Sequence, residues 1–426
     1  MPSIRPGLRL FSQSPHSSYE SPKMKLSSFR SIITATICGV LLCSATSSAG
    51  RKMSAQLNAP SAAATALPVG DSDPLVQLAV LLDTSGSMKG LADQARCQIW
   101  NAVSRLATAK RGGLPIRLQI AVYQFGTESV SKSEGCLRQV IPFTEDLDVI
   151  SEALFRLQVA GGDEYCGAAI NAAAADLEWS SDPSVYKTIV IAGNESFFQG
   201  ETTFGEVLPQ LASNSIVLNS IYCGTKYREE DGWQAATEIA RGRFARIDHN
   251  HHLPNIKTPY DEKMRELNRE MNATFVWYGK HSHVAADNQK HQDENTARMS
   301  DHAFAARMSA KIGHLYHHVD HDLVDAMTHG KVKVDRMPTE LMPENMRRMT
   351  ADQRVEFLNG KISDRQSVRR RMADLIAKRH AYLQKQMMND LGKDAPQVFG
   401  EALIEALVEQ ATDCGFEFDE KVVSVK

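Results

Sequence analysis

The chain has 426 residues, of which 42% are hydrophobic and 23% are charged, and its formal net charge is -3. This composition is typical of globular proteins, which excludes a collagen-like, a wholly disordered or a polytopic membrane protein. The 48 basic and 51 acidic residues nearly balance, so we predict no nucleic-acid partner, because such partners require a strongly basic surface.

The first 49 residues have the features of a secretory signal peptide. Two basic residues precede an apolar run at residues 31–45, which is too short to span a bilayer comfortably. Small residues near its end predict cleavage after Ala49. Met24 is a more typical start for such a signal than the first methionine. We therefore expect export to the periplasm or the extracellular space without stable membrane insertion; the alternative is an uncleaved membrane anchor.

Residues 50–73 are rich in Ala, Ser and Pro and predict a flexible linker. Strand and helix patterns then alternate over residues 74–250. The unbroken apolar run at 75–82 predicts a buried strand, and apolar residues at helical spacing predict a helix at 91–109. Further strands are predicted at 116–125, 137–143, 188–192, 216–222 and 243–247, with helices at 145–157, 167–179, 204–212 and 232–240. The alternation predicts a doubly wound α/β fold with a mostly parallel sheet, in which strand 137–143 is an antiparallel neighbour of strand 116–125.

The remainder, residues 251–426, has a different character and predicts an α-helical C-terminal region. Its sequence is charged and rich in Met, Arg and Gln, with a possible short strand at 274–277. Thr350 and Gln353 have the spacing of a capping box at the start of a helix. An apolar stripe after Asp364 is close to heptad spacing, which favours a helical hairpin or bundle.

A polar segment with the sequence DTSGSM, Asp83–Met88, follows the first strand directly and precedes the first helix. Functional loops of parallel sheets lie at the carboxyl ends of the strands, so Asp83 is expected at the functional edge. The carboxylate of Asp83 and the hydroxyls of Ser85 and Ser87 can point at one position. Oxygen ligands of this kind suit Mg²⁺ or Mn²⁺.

This segment closely resembles the metal-ion-dependent adhesion site of the von Willebrand factor A-like domain, whose loop has the pattern Asp-x-Ser-x-Ser. The resemblance covers about 170 residues and implies two further ligand positions, usually a Thr and an Asp. At the first, Asp163 stands in place of the Thr. At the second, Asn194 or Glu195 would replace the usual acid. The resemblance thus implies a divalent-cation site formed by Asp83, Ser85, Ser87, Asp163 and one or both of Asn194 and Glu195.

Such a site favours a binding protein rather than an enzyme. A Mg²⁺ ion held by two hydroxyls and an acid keeps several water ligands, and the acidic side chain of a protein partner can displace one of them. We therefore predict an adhesion or complex-assembly module. The alternative is a metal-dependent hydrolase in which Glu164 or Glu195 acts as a general base on metal-bound water, or one that uses the histidine-rich tract.

Twelve of the fourteen histidines fall within residues 249–329. His314, His317, His318 and His321 have i, i+3, i+4, i+7 spacing, which predicts one face of a helix, with apolar residues on the opposite face. We expect these histidines to face solvent. A functional metal site in this tract is the alternative, although no third ligand with a buried environment is visible in the sequence.

Five cysteines follow the predicted signal peptide: Cys97, Cys136, Cys166, Cys223 and Cys414. Export makes disulfides possible, but an odd number leaves at least one thiol unpaired. A bridge between Cys136 and Cys166 is one alternative, and buried free thiols are the other.

Overall fold

The computed structural model describes residues 73–128, 136–224, 227–247, 256–390 and 399–418. The chain divides into two compact units, residues 1–63 and 64–426, and all described residues belong to the second. The predicted signal peptide and residues 50–72 of the predicted linker lie outside the described residues.

The elements follow each other in the predicted alternation. The strands are β1 (Leu75–Asp83), β2 (Ala109–Arg111), β3 (Leu114–Pro115), β4 (Arg117–Phe125), β5 (Leu137–Thr144), β6 (Tyr186–Gly193), β7 (Ile216–Tyr222), β8 (Phe244–Arg246) and β9 (Glu417–Phe418). The helices are α1 (Lys89–Leu106), α2 (Leu147–Arg156), α3 (Cys166–Asp176), α4 (Phe204–Ser213), α5 (Tyr227–Ile239), α6 (Asp261–Asn272), α7 (Ser282–Met299), α8 (Asp301–Lys311), α9 (Leu323–Thr328), α10 (Ala351–Asp390) and α11 (Phe399–Asp413).

The central sheet has six strands in the order β5-β4-β1-β6-β7-β8. Strand β1 lies in the middle and pairs in parallel with β4 and β6, and β7 and β8 continue in parallel. Strand β5 pairs antiparallel with β4, as predicted. The predicted doubly wound, mostly parallel α/β fold is confirmed. Asp83 pairs with Phe125 of β4, so the loop after β1 lies at the carboxyl edge of the sheet.

Both faces of the sheet are covered, which explains the unbroken apolar sequence of β1. Side chains alternate between the two faces of a strand, so Leu78 and Val80 enter one core while Ala79 and Leu81 enter the other. Helices α3, α4 and α5 contribute to the second core. Helices α1, α2, α6, α8 and α11 contribute to the first.

The predicted helical C-terminal region is present and packs against α1 and, through α11, directly against strands β6 and β7. Helices α8 and α11 both contact α1, and β9 pairs with β2 next to the end of α1. The long helix α10 begins with the predicted capping box: the backbone N–H of Thr350 donates to Gln353 Oε1 at 2.9 Å, and the N–H of Gln353 donates to Thr350 Oγ1 at 3.3 Å. Across the described residues, the helices lack the length and apolar character that crossing a membrane requires.

The prediction of a helix carrying four solvent-facing histidines is wrong. Helix α8 ends at Lys311, and residues 312–322 form turns and irregular backbone before α9. His318 is 6% exposed, and His314 contacts the backbone oxygen of Ile116 at 3.1 Å. The regular spacing of these histidines therefore does not indicate a helix. The chain leaves α8 before it reaches them, and tertiary contacts place His314 and His318 against the protein interior.

The cysteines of the described residues are free thiols, of which four are buried and Cys414 is exposed. Cys136 and Cys166 are both buried and are not bonded to each other.

Candidate metal site at the carboxyl edge of the sheet

The loop between β1 and α1 brings three predicted ligands together. Asp83 is the last residue of β1 and is 1% exposed, and a short 3-10 turn leads from Gly86 into α1. The backbone N–H of Ser85 donates to Asp83 Oδ1 at 2.8 Å. The hydroxyl oxygens of Ser85 and Ser87 lie 3.1 Å apart. The DTSGSM segment therefore presents one carboxylate and two hydroxyls at a single position.

The carboxyl group of Asp83 is electrostatically unsatisfied. Burial, together with a smaller effect of the nearby charge of Glu164, raises its pKa from 3.8 to about 7, although the hydrogen bonds from Ser85 oppose this rise. Its Oδ2 atom is buried and has no hydrogen-bond partner. An unsatisfied buried acceptor costs roughly 1–3 kcal/mol, and more for a charged group. A divalent cation fits this position, since it would supply the missing partner and stabilise the ionised form.

The loop after β6 closes the site from the other side. The side-chain amide of Asn194 lies against the hydroxyl of Ser87, with Nδ2 at 3.0 Å. The backbone oxygen of Glu195 accepts a hydrogen bond from Trp233 Nε1 at 2.8 Å, which holds this loop to α5. The charge of Glu195 acts on Glu164. Both alternatives for the last ligand therefore lie at the site.

The loop before α3 supplies two carboxylates, of which the sequence analysis placed only Asp163 among the metal ligands. The hydroxyl of Tyr165 donates to Asp163 Oδ2 at 2.9 Å. Glu164 makes a hydrogen bond with the side chain of Ser85. Burial raises the pKa of Glu164, and the charges of Glu195 and Asp163 raise it further. Glu164 thus lies among the site residues, and its position next to Asp163 was the only signal for it in the sequence.

Gly126 shows how closely these groups approach one another. A Cβ atom at this position would lie 2.8 Å from Asp83 Oδ1 and 3.0 Å from Glu164 Cγ. Its φ of 71° is in the left-handed region, which favours glycine. A Cβ at Gly162 would lie 2.7 Å from the carbonyl carbon of Gly126. The two loops pack backbone to backbone, and this close packing directs Glu164 toward Asp83.

Two aromatic residues flank the site with different roles. Phe197 is buried and packs edge-on against Trp233, with ring centroids 5.0 Å apart. Phe198 is 60% exposed and lies over Gly232 of α5, where a Cβ would approach its ring to 2.8 Å. Phe197 therefore anchors the loop, while Phe198 presents apolar surface beside the site.

A second group of candidate ligands was missed by the sequence analysis. One oxygen each from Asp146 and Asp148 and one ring nitrogen of His318 lie within 4.8 Å of one another. This donor set suits a divalent cation. Asp146 and Asp148 fall at the start of a predicted helix, and His318 falls on a helix face that was predicted to be exposed. Neither pattern indicated a metal site.

The strand order and the oxygen-rich loop after β1 agree with the von Willebrand factor A-like fold that the sequence resembles. Three solved structures illustrate the likeness. The VWA domain of SpRpn10 has a TM-score of 0.32 and 16% identity, over 41% of this chain and 88% of that chain. A von Willebrand factor type A protein from Catenulispora acidiphila has a TM-score of 0.31 and 18% identity, over 46% and 42%. Proximal thread matrix protein 1 from the mussel byssus, with a zinc-occupied MIDAS motif, has a TM-score of 0.30 and 14% identity, over 41% and 42%. No family model and no curated sequence matches the chain.

Proposed function

We propose that this chain is an exported protein-binding module whose binding edge holds Mg²⁺ or Mn²⁺. The observation that carries the metal site is Asp83 Oδ2, a buried carboxylate oxygen without a hydrogen-bond partner beside two hydroxyls. Asp83, Ser85 and Ser87 would hold the ion, with Asn194, Glu195 and Asp163 around it. The ion would supply a positive centre that orients the acidic side chain of a partner.

The charge of the site favours binding over turnover. Asp163, Glu164 and Glu195 add carboxylates near Asp83. Several carboxylates largely neutralise a dication, so water bound to it remains a poor nucleophile near pH 7. High metal affinity and weak Lewis acidity are properties of a binding site rather than of a hydrolase.

Titration calorimetry tests the metal site. The protein should bind one Mg²⁺ or Mn²⁺ with an affinity that falls about tenfold or more in Asp83→Asn and in Ser85→Ala. Glu201→Ala, which removes an exposed acid from the loop after β6, is the matched control and should bind like the parent. Circular dichroism establishes that each variant is folded. Parent-like Mg²⁺ binding by both site variants would mean that the loop is a turn without a metal.

A hydrolase screen with Mg²⁺, Mn²⁺ and Zn²⁺ tests the binding role separately. We expect no turnover. Metal-dependent hydrolysis that is lost in Glu164→Gln and kept in Glu201→Ala would replace the binding function by an enzymatic one.

Export is the part of this proposal that depends on residues 1–49. Expressed with its own N-terminus in a Gram-negative host, the protein should be recovered from the periplasm with Gly50 as its first residue. Mass spectrometry of the fractionated product provides the measurement. A full-length cytoplasmic product, or an uncleaved product in the membrane fraction, would contradict the signal-peptide prediction.

A further inference from the structure

The group formed by Asp146, Asp148 and His318 lies at the opposite edge of the sheet from the Asp83 loop. Strand β5 runs antiparallel to β4, and its last residue, Thr144, pairs with Ile120 in the first half of β4. Helix α2 therefore begins near the amino ends of the parallel strands, and Asp146 and Asp148 are at its start. Any ligand of this group is distinct from a cation at the carboxyl edge.

The donor atoms of Asp146, Asp148 and His318 are close enough to one another to bind a single ion. His318 Nε2 lies 3.2 Å from Asp148 Oδ2, but this buried nitrogen has no partner in favourable hydrogen-bond geometry. Two ligands bound to one ion at about 2.1 Å stand roughly 3 Å apart. Asp146 caps α2 through Oδ1, which accepts from the N–H groups of Asp148 and Val149 at 2.9 and 3.2 Å. Neither capping bond uses Oδ2.

The surroundings hold the two buried ligands in place. The hydroxyl of Tyr316 donates to Asp148 Oδ2 at 2.8 Å. The ring of His318 is enclosed by the rings of Phe275, Trp277 and Tyr316, with centroids 5.1 to 5.9 Å away. Outer contacts of this kind orient metal ligands and strengthen their binding.

The charge balance of the region leaves room for a cation. Arg307 contacts Asp148 at 2.8 Å, and both Arg307 and Lys311 contact Asp293, at 2.6 and 2.7 Å. Three carboxylates, counting Asp146, therefore face two permanent cations and the imidazole of His318, which adds a third positive charge when it is protonated. A bound dication would take the place of that proton, and acids of the neighbouring cleft would compensate its second charge.

A cleft of about 530 Å³ reaches this group, since Asp146 is one of its lining residues. The cleft lies beside α2 and α7, and its wall carries further donors: His281, His291, His321, Glu152 and Asp287. A metal site needs an access path as well as ligands. Here the cleft provides the path and the additional imidazoles and carboxylates that can complete the coordination.

We propose that Asp146, Asp148 and His318 bind a first-row transition-metal ion at the floor of this cleft. An imidazole with two carboxylates is a donor set for ions such as Zn²⁺ or Mn²⁺, whereas the hydroxyl-rich loop after β1 suits Mg²⁺. Asp146 connects the group to the cleft, so a wall imidazole, water or an anionic ligand would complete the coordination from that side.

The test uses the full chain with the Asp83→Asn substitution, which weakens metal binding by the loop after β1. Zn²⁺ binding is measured by calorimetry, and Co²⁺ serves as a spectroscopic probe through its visible absorption. We expect one Zn²⁺ site whose affinity falls about tenfold or more in Asp146→Asn and in His318→Gln. Asn caps helices as well as Asp does, so Asp146→Asn preserves the start of α2 and decides the case if His318→Gln fails to fold.

The control is His283→Ala, which removes an exposed histidine that does not line the cleft and should leave Zn²⁺ binding unchanged. Parent-like Zn²⁺ affinity in Asp146→Asn would overturn the proposal. So would the absence of Zn²⁺ binding, or binding that is lost only in His281→Ala and His291→Ala, which would identify chelation at the cleft surface.

Discussion

Asp83 and Glu164 determine the electrostatic character of the carboxyl edge. Their side chains converge on Gly126, and Glu164 makes a hydrogen bond with the side chain of Ser85. Asp163 stands where the resemblance implies a neutral Thr, but its carboxylate accepts a hydrogen bond from Tyr165. Asp163 and Glu164 are thus neighbours in the sequence, but Glu164 contacts Ser85 of the site whereas Asp163 is hydrogen-bonded to Tyr165.

This difference predicts unequal effects of removing each charge. Glu164→Gln should lower Mg²⁺ affinity about tenfold or more, because it removes the acid that faces Asp83 and Ser85. Asp163→Thr should lower it less, while the ion becomes more electrophilic and binds an acidic peptide more tightly at saturating Mg²⁺. Calorimetry with Mg²⁺ and with the peptide measures both. Unchanged Mg²⁺ affinity in Asp163→Thr would remove Asp163 from the site, and unchanged affinity in Glu164→Gln would do the same for Glu164.

For the helices of the C-terminal region, a capping box was a more reliable signal than the helical spacing of residues. The capping box predicted the start of α10 because its two hydrogen bonds join residues only three positions apart. The segment at 312–322 has equally regular spacing of histidines and apolar residues, yet it is not helical. Gly313 packs close to Ala107, the residue after α1, where a Cβ would approach to 3.4 Å. Contacts of this kind outweigh a weak helical preference.

A buried ionic network joins the helical region to the α/β unit. Asp148 of α2, Asp293 of α7, and Arg307 and Lys311 of α8 contact one another with side chains that are at most 7% exposed. The guanidinium of Arg307 also lies 5.2 Å from the ring of Trp100 in α1. Breaking one member of such a network leaves an uncompensated buried charge.

Asp293→Asn should therefore lower the free energy of unfolding by about 3–5 kcal/mol. The matched control is Asp374→Asn, which breaks an ion pair with Lys378 whose side chains are 61% and 54% exposed; its effect should be below about 1 kcal/mol. Chemical denaturation measures both. An effect of Asp293→Asn no larger than that of the control would contradict a stabilising role of the network.

The effect of Asp293→Asn should also depend on pH. Burial alone would raise the pKa of Asp293, but Lys311 and Arg307 lower it from 3.8 to about 2. A lowered pKa in the folded state stabilises the protein above the unfolded-state value. The difference in unfolding free energy between parent and variant should thus be complete above about pH 4 and shrink as the pH falls toward 2.

The α/β sheet, the helical region and the oxygen-rich loop after β1 could be predicted from the sequence, because each depends on residues that are close together along the chain. The apolar run of β1 requires burial on both faces, and the DTSGSM segment turns directly into α1. Tertiary structure decided the approach of Glu164 to Asp83 and the burial of His318. Asp148 and Tyr316 are 168 positions apart, and no local pattern encodes a contact over that distance; only the packing of α2, α7 and α8 on the sheet creates it.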